Sequence, residues 1–227
     1  MPIVLAKTAK QKPHSEERWG KPKDDVRYIC ASKEDKSAVY AIEAPPGKRG
    51  LSFRGQRYTL WWPWTYFFVK VTASCTTSTQ APAYIMVANK RLRLDEKKLM
   101  IPYIPNSFAH GGICPDHNSG IKGATPLEAA RKFIQWFWFS DGSGSFGKVR
   151  RPSHFDAYIG MATLLSRWAS FSPKQVEQID WQPARYRSIR EAALHLRFNY
   201  WSRDHDSVSD MIRKRSSVDR VEIGGIE

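Results

Sequence analysis

The chain changes its hydrophobic period once, and that change limits what it can fold into. From Val26 to Ala88 it is a series of short β-favouring runs: Val26–Ala31, Ala38–Ala44, Tyr58–Trp62, Tyr66–Ala73 and Ala83–Ala88. Turn-forming segments divide them. These are the charged Ser32–Ser37, Pro45-Pro46-Gly47 leading into a basic, glycine-punctuated loop over Gly47–Gly55, and the polar Ser74–Ala81. Pro63 also separates two runs, because a proline cannot sit inside a central ladder. Strands at such short intervals predict an antiparallel meander with one aromatic-rich face.

Beyond Asn89-Lys90 and the basic connection Arg91–Lys98, the period becomes helical. Thr125-Pro126-Leu127-Glu128 is a capping-box signature, and Leu127, Ala130, Ile134, Phe137 and Trp138 recur on one face before Asp141–Ser145 stops the helix. Ser153 and Asp156 cap a second predicted helix to about Ala169, with Ile159, Ala162, Leu165 and Trp168 on one side. Ser172-Pro173 opens a short third helix to Ile179, and Ser188 with Glu191 opens a fourth to about Trp201. Strands first and helices after make this an α+β chain, an antiparallel meander succeeded by helices. The chain divides into three regions: a flexible basic arm over 1–24, a core over 25–147 and a helical C-terminal extension over 148–227.

With 227 residues, 41% of them hydrophobic and nine of them Trp, the chain is long enough to bury a sizeable core. No apolar run reaches the length of a membrane span. Cys30, Cys75 and Cys114 are odd in number and widely spaced, which argues against a disulfide framework and suits a reducing, cytoplasmic setting. The net charge of +14 favours an acidic partner, nucleic acid among them. Its basic residues are scattered over Lys7–Lys23, Lys90–Lys98, Lys148–Arg151 and Arg213–Arg220.

Between the two periods lies the stretch that carries candidate chemistry, Met100 to Phe146. Pro105-Asn106 stands eight residues before Cys114, with Gly111-Gly112-Ile113 leading into the cysteine. A thiol nucleophile needs such display, and the oxyanion it generates needs a positioned donor, here Asn106. Against this, a lone cysteine is commonly a small buried hydrophobe, and an asparagine after proline is an ordinary turn former. His110 is a candidate base for the thiol, and Asp116 either orients an incoming amine or caps a turn. His110, Cys114 and His117 also have a spacing that suggests zinc, but a structural site wants four ligands and no second pair is present, so no metal is assigned. Asp141–Gly147 lacks the Gly-Lys-Ser/Thr of a phosphate cradle. Trp61, Trp62 and Trp64 lie on an aromatic strand, which is core or a partner-binding patch; a base-stacking platform is the third reading.

The central stretch resembles the ubiquitin-conjugating enzyme family, whose signature is His-Pro-Asn, a short insertion and Gly-x-Ile-Cys, after a four-stranded meander and before a helix. Pro105-Asn106 and Gly111-Gly112-Ile113-Cys114 match; Ile104 stands where the family has histidine, and Pro115 where an aliphatic residue is usual. The prokaryotic branch known as PRTRC protein B looks more similar still. Its Trp-Trp-x-Pro strand looks like Trp61-Trp62-Pro63-Trp64, where the proline stands one position earlier, and its aromatic helix end looks like Trp136–Ser140 and Phe146. The likeness covers about residues 38–147. It implies a ubiquitin-conjugating-like core, Cys114 as thioester-forming nucleophile and Asn106 as oxyanion stabiliser. It further implies a ubiquitin-like modifier as cargo, delivered by a ThiF-like activating enzyme, and no cofactor on this chain, since the carboxyl group arrives already activated. Two other classes stay open: a catalytically inactive adaptor of the same fold, and a basic structural or nucleic-acid-associated protein.

Overall fold

The structure, a computed structural model, describes residues 25–32, 36–77, 83–108, 110–113, 120–142, 160–198 and 222–223. The predicted arm over 1–24 and the cap residues Ser153 and Asp156 lie outside them. The strands before the first helix are β1 (Val26–Ser32), β2 (Ser37–Ala44), β3 (Gly47–Phe53), β4 (Gln56–Trp62), β5 (Trp64–Thr72), β6 (Ala83–Ala88) and β7 (Met100–Ile101). After helix α1 (Pro126–Phe139) come β8 (Asp141–Gly142), α2 (Met161–Ala169), α3 (Pro173–Glu177), β9 (Gln182–Pro183), α4 (Ile189–Phe198) and β10 (Glu222–Ile223). The chain is mixed α+β, an antiparallel sheet succeeded by helices. No helix among the described residues is long and apolar enough to cross a membrane.

The long strands of the main sheet run β1-β2-β5-β6, all antiparallel, and the short strands β10, β7 and β9 extend its two edges. The meander is interrupted: β3 and β4 leave it as a hairpin and form a second sheet with β8. This corrects the expected loop over Gly47–Gly55, most of which is strand β3. The hairpin turn is Arg54-Gly55, both at positive φ (50° and 77°), as the two-residue turn that matches strand twist requires. An arginine in that conformation gives no turn signal in sequence.

The main sheet is covered on both faces rather than presenting one aromatic face. Every residue of β6, and all but the ends of β5, is buried. Aromatic residues occupy both parities of β5. Phe67 meets Phe137 and Trp138 of α1, at 5.5 and 5.4 Å between centroids. On the opposite face, Lys70 is buried and its Nζ donates to the carbonyl of Arg197 in the last turn of α4, 3.1 Å away. A cation there complements a helix C-terminus whose carbonyls lack intrahelical partners. Helices α1 and α4 therefore sandwich the sheet.

The starts of α1, α3 and α4 agree closely with the sequence, whereas α2 begins at Met161 with Gly160 as its N-cap and is not capped by Ser153 or Asp156. Thr125 Oγ1 accepts from Glu128 N–H at 3.2 Å, while the Glu128 carboxylate reaches one residue further back, to the Ala124 N–H. Ser172–Gln175 forms a full capping box, and Ser188 with Glu191 another. The buried faces are rotated slightly from those expected: Phe133 is buried in α1 where Ile134 is only half-buried, and Met161 and Leu164 face inward in α2 while Ala162 is exposed. In both helices the residue with more apolar surface has taken the inward position.

A chain of indoles joins the two sheets to the helices. Trp62 is wholly buried between Trp138 of α1 and Trp168 of α2, at 4.9 and 5.1 Å, and Trp168 continues onto Trp181 at 5.1 Å. The Trp168 Nε1–H donates to the Trp61 carbonyl at 3.0 Å.

Candidate functional site

The segment Ile101–Ser107 is buried without a break. It turns at Asn106, which has φ 57°, a left-handed conformation that asparagine tolerates better than most residues. Ser107 Oγ closes the turn by donating to the Ile104 carbonyl at 2.7 Å. The loop beyond this turn is fastened to the edge of β6. Ile85 N–H donates to Gly111 O at 2.9 Å, and Ile113 N–H to Ala83 O at 3.0 Å.

The loop is also tied to itself. Phe108 N–H donates to Gly112 O and Gly111 N–H to Phe108 O, both at 2.8 Å, while Ser107 and Ile113 form an antiparallel bridge. Gly111 is required twice over. Its φ is 87°, and a Cβ there would press on Met86 Cε at 3.2 Å and on the Ile85 carbonyl at 3.3 Å.

Asn106 and Ile113, seven positions apart in sequence, line one small cavity with Pro105, Leu51, Trp136 and Phe137. Its volume is about 10 Å³, room for no more than a single water. The sequence-predicted stabiliser Asn106 and the residue that precedes the predicted nucleophile are thus brought together. Cys114 itself, with Asp116 and His117, lies outside the described residues.

His110 is on the other side of this loop, against the α4 face of the sheet. It stacks near-parallel to Phe108 at 5.6 Å between centroids and meets Tyr84 edge-on at 5.6 Å. Burial pushes its pKa below the usual histidine range. Beyond Tyr84 lies a partner that the sequence did not suggest. Nδ1 of His195, on α4, is 2.7 Å from the Tyr84 hydroxyl, and Tyr186 stacks on the His195 ring at 3.6 Å. Burial, with smaller contributions from His110 and Arg185, lowers the His195 pKa to about 3. Burial raises the Tyr84 pKa, so its hydroxyl stays protonated and can donate to a bare Nδ1.

The aromatic candidates divide. Trp62 belongs to the core, whereas Trp61 and Trp64 are half-buried. Arg91 lies 5.9 Å over the Trp64 ring and makes a forked ion pair with the buried Glu43, which also faces buried Arg27 at 3.5 Å. Of the other cysteines, Cys30 is buried, with the Arg197 guanidinium 3.5 Å from its sulfur, and Cys75 is half-buried. Among the described residues no three His, Cys, Asp or Glu side chains gather as a metal ion would need. Comparisons with protein-family models, with curated proteins and with solved structures each find no match to this chain.

Proposed function

We propose that this chain is a conjugating-enzyme-like transferase that carries an activated ubiquitin-like modifier as a thioester on Cys114, received from a ThiF-like activating enzyme. The observation that carries the reading is the Ser107–Ile113 bridge. The chemistry requires Cys114 close to Asn106, and the bridge brings the residue before the cysteine, Ile113, to the residue after the asparagine, Ser107, with Asn106 and Ile113 lining one cavity.

In this reading the Cys114 thiolate attacks the carbonyl carbon of the incoming thioester, and the donor thiolate leaves as the tetrahedral oxyanion collapses. An acceptor amine then attacks the Cys114 thioester. The Asn106 amide donates to the oxyanion, the amine proton passes to a base, and the Cys114 thiolate is expelled.

The test is alkylation of the folded protein by iodoacetamide across pH, with site-resolved mass spectrometry, and then exposure to a short peptide thioester ending in Gly-Gly. Cys114 is expected to label before Cys30 and Cys75, and faster than in the unfolded chain, and to accept the peptide acyl group. Labelling of Cys114 only on unfolding would overturn the reading and leave an adaptor of the same fold.

A further inference from the structure

The positive charge of this protein is uneven in a way that net charge hides. No Asp or Glu occurs between Glu43 and Asp95. Within that acid-free stretch the β3–β4 hairpin carries Lys48, Arg49, Arg54 and Arg57. Several cations elsewhere on the described surface have carboxylate partners. Lys90 and Lys98 share Glu96, Lys97 meets Glu191, Lys132 meets Glu128, and Arg190 meets Asp95. The cleft of about 470 Å³ rimmed by Lys90, Lys97 and Lys98 is therefore already largely neutralised. Lys48, Arg54 and Arg57 are exposed and have no ion pair among the described residues.

Strand register gathers two of these cations, Lys48 and Arg57, on one face, while Arg54 stands in the turn at its end with its guanidinium 5.4 Å over the Phe53 ring. Lys48 lies directly opposite Trp61, Gly50 opposite Thr59 and Ser52 opposite Arg57, so all six share the outer side of the hairpin. The other parity, Leu51, Phe53, Tyr58, Leu60 and Trp62, is buried. Gly50 leaves the outer face flat, and the Arg57 guanidinium lies across it; a Cβ at that position would collide with it.

Arg57 also reaches 4.9 Å over the ring of Phe139, at the end of α1. Phe139 is 69% exposed, the only large hydrophobic side chain left so open among the described residues. The acid nearest in the ladder is Asp141, whose backbone pairs with Ser52 at the edge of β3. The face thus combines arginine and lysine that have no ion pair among the described residues with an exposed phenyl ring and a half-buried indole, Trp61.

We infer that this outer hairpin face binds single-stranded nucleic acid, with phosphates on Lys48 and Arg57 and on Arg54 at the adjoining turn, and bases stacked on Phe139 and Trp61. An acidic protein would satisfy the cations; a single strand uses both the cations and the flat, open aromatic ring held beside an arginine, since every nucleotide carries a phosphate and a stackable face. The inference is independent of the Cys114 chemistry.

The test is fluorescence anisotropy of labelled 20-mer oligo-dT and oligo-U with the full-length chain across salt concentration. The variants are K48Q/R54Q/R57Q, the equally charged control K90Q/K97Q/K98Q, and F139A. The hairpin triple is expected to lose at least about tenfold in affinity and to reduce the salt slope by about 2, at roughly 0.7 per lost phosphate contact. The control triple is expected to change affinity much less. F139A is expected to lose on the order of tenfold with an unchanged slope, the signature of a stacking contact. Preference between the two oligonucleotides decides DNA or RNA. Equal losses in the two triples would reduce the effect to net charge and overturn the assignment. So would an unaffected F139A together with equal competition by polyglutamate, which would point to an acidic protein instead. All three variants alter exposed side chains, and thermal unfolding checks that each stays folded.

Discussion

The Tyr84 hydroxyl and Nδ1 of His195 lie 2.7 Å apart, joining the middle of the polypeptide to its last described helix. The bond makes α4 part of the same packed unit as β6 and the Asn106–Ile113 loop fastened to it. Both groups are held neutral by burial, so the bond has a definite pH dependence.

For His195 the folded pKa, about 3, is below the ordinary value of 6.5. The unfolded chain therefore binds the proton first on acidification. The contribution of this group to stability is complete above about pH 6.5 and is lost as pH falls from there toward 3. His195→Gln, which cannot take up this proton, is expected to flatten the decline of urea-unfolding free energy between about pH 6.5 and 4. A slope identical to the unsubstituted chain would place the acid sensitivity in other groups.

Asn106 holds a left-handed conformation whatever its chemistry. Asn106→Ala is expected to cost about 1–2 kcal/mol from backbone strain, while Asn106→Gly relieves that strain and costs little by comparison. The glycine variant thereby separates the turn from the amide. Its thermal midpoint should stay close to that of the unsubstituted chain, while transfer of a peptide acyl group from Cys114 to an amine slows. Unslowed transfer in that variant would leave Asn106 as a turn former only.

Glu43 is buried between Arg27, equally buried, and the half-exposed Arg91. Glu43→Gln strands a buried guanidinium and is expected to cost about 3–5 kcal/mol in chemical denaturation. Arg91→Gln removes a largely solvated partner and should cost under about 1 kcal/mol. Comparable losses would show that Arg91, not Arg27, sets the energy of the cluster.

Trp62 links α1 and α2 through the indole chain. Trp62→Ala should destabilise by about 3–5 kcal/mol, the range for deleting a large buried aromatic. Trp61→Ala, at a half-buried neighbour, should cost clearly less. Urea unfolding monitored by intrinsic fluorescence reads both.

Local elements follow from short-range signals in the chain. Prolines, glycines and capping boxes act over a few residues, so the starts of α1, α3 and α4, the break at Pro63 and the turn at Asn106 were all legible in it. The approach of Asn106 to Ile113 was also within reach, because the loop that joins them is short. Tertiary structure decided what depends on distant partners. A positive-φ arginine turned an expected loop into the β3–β4 hairpin and sent it out of the meander. Aromatic residues on both parities of β5 drew helices to both faces of the sheet. The pairing of Tyr84 with His195 leaves no trace in sequence, because side chains so far apart in the chain meet only when helix and sheet have packed. The positive charge of the hairpin was visible as an acid-free run, but only strand register places Lys48 and Arg57 on one side, and only packing brings Arg57 over exposed Phe139.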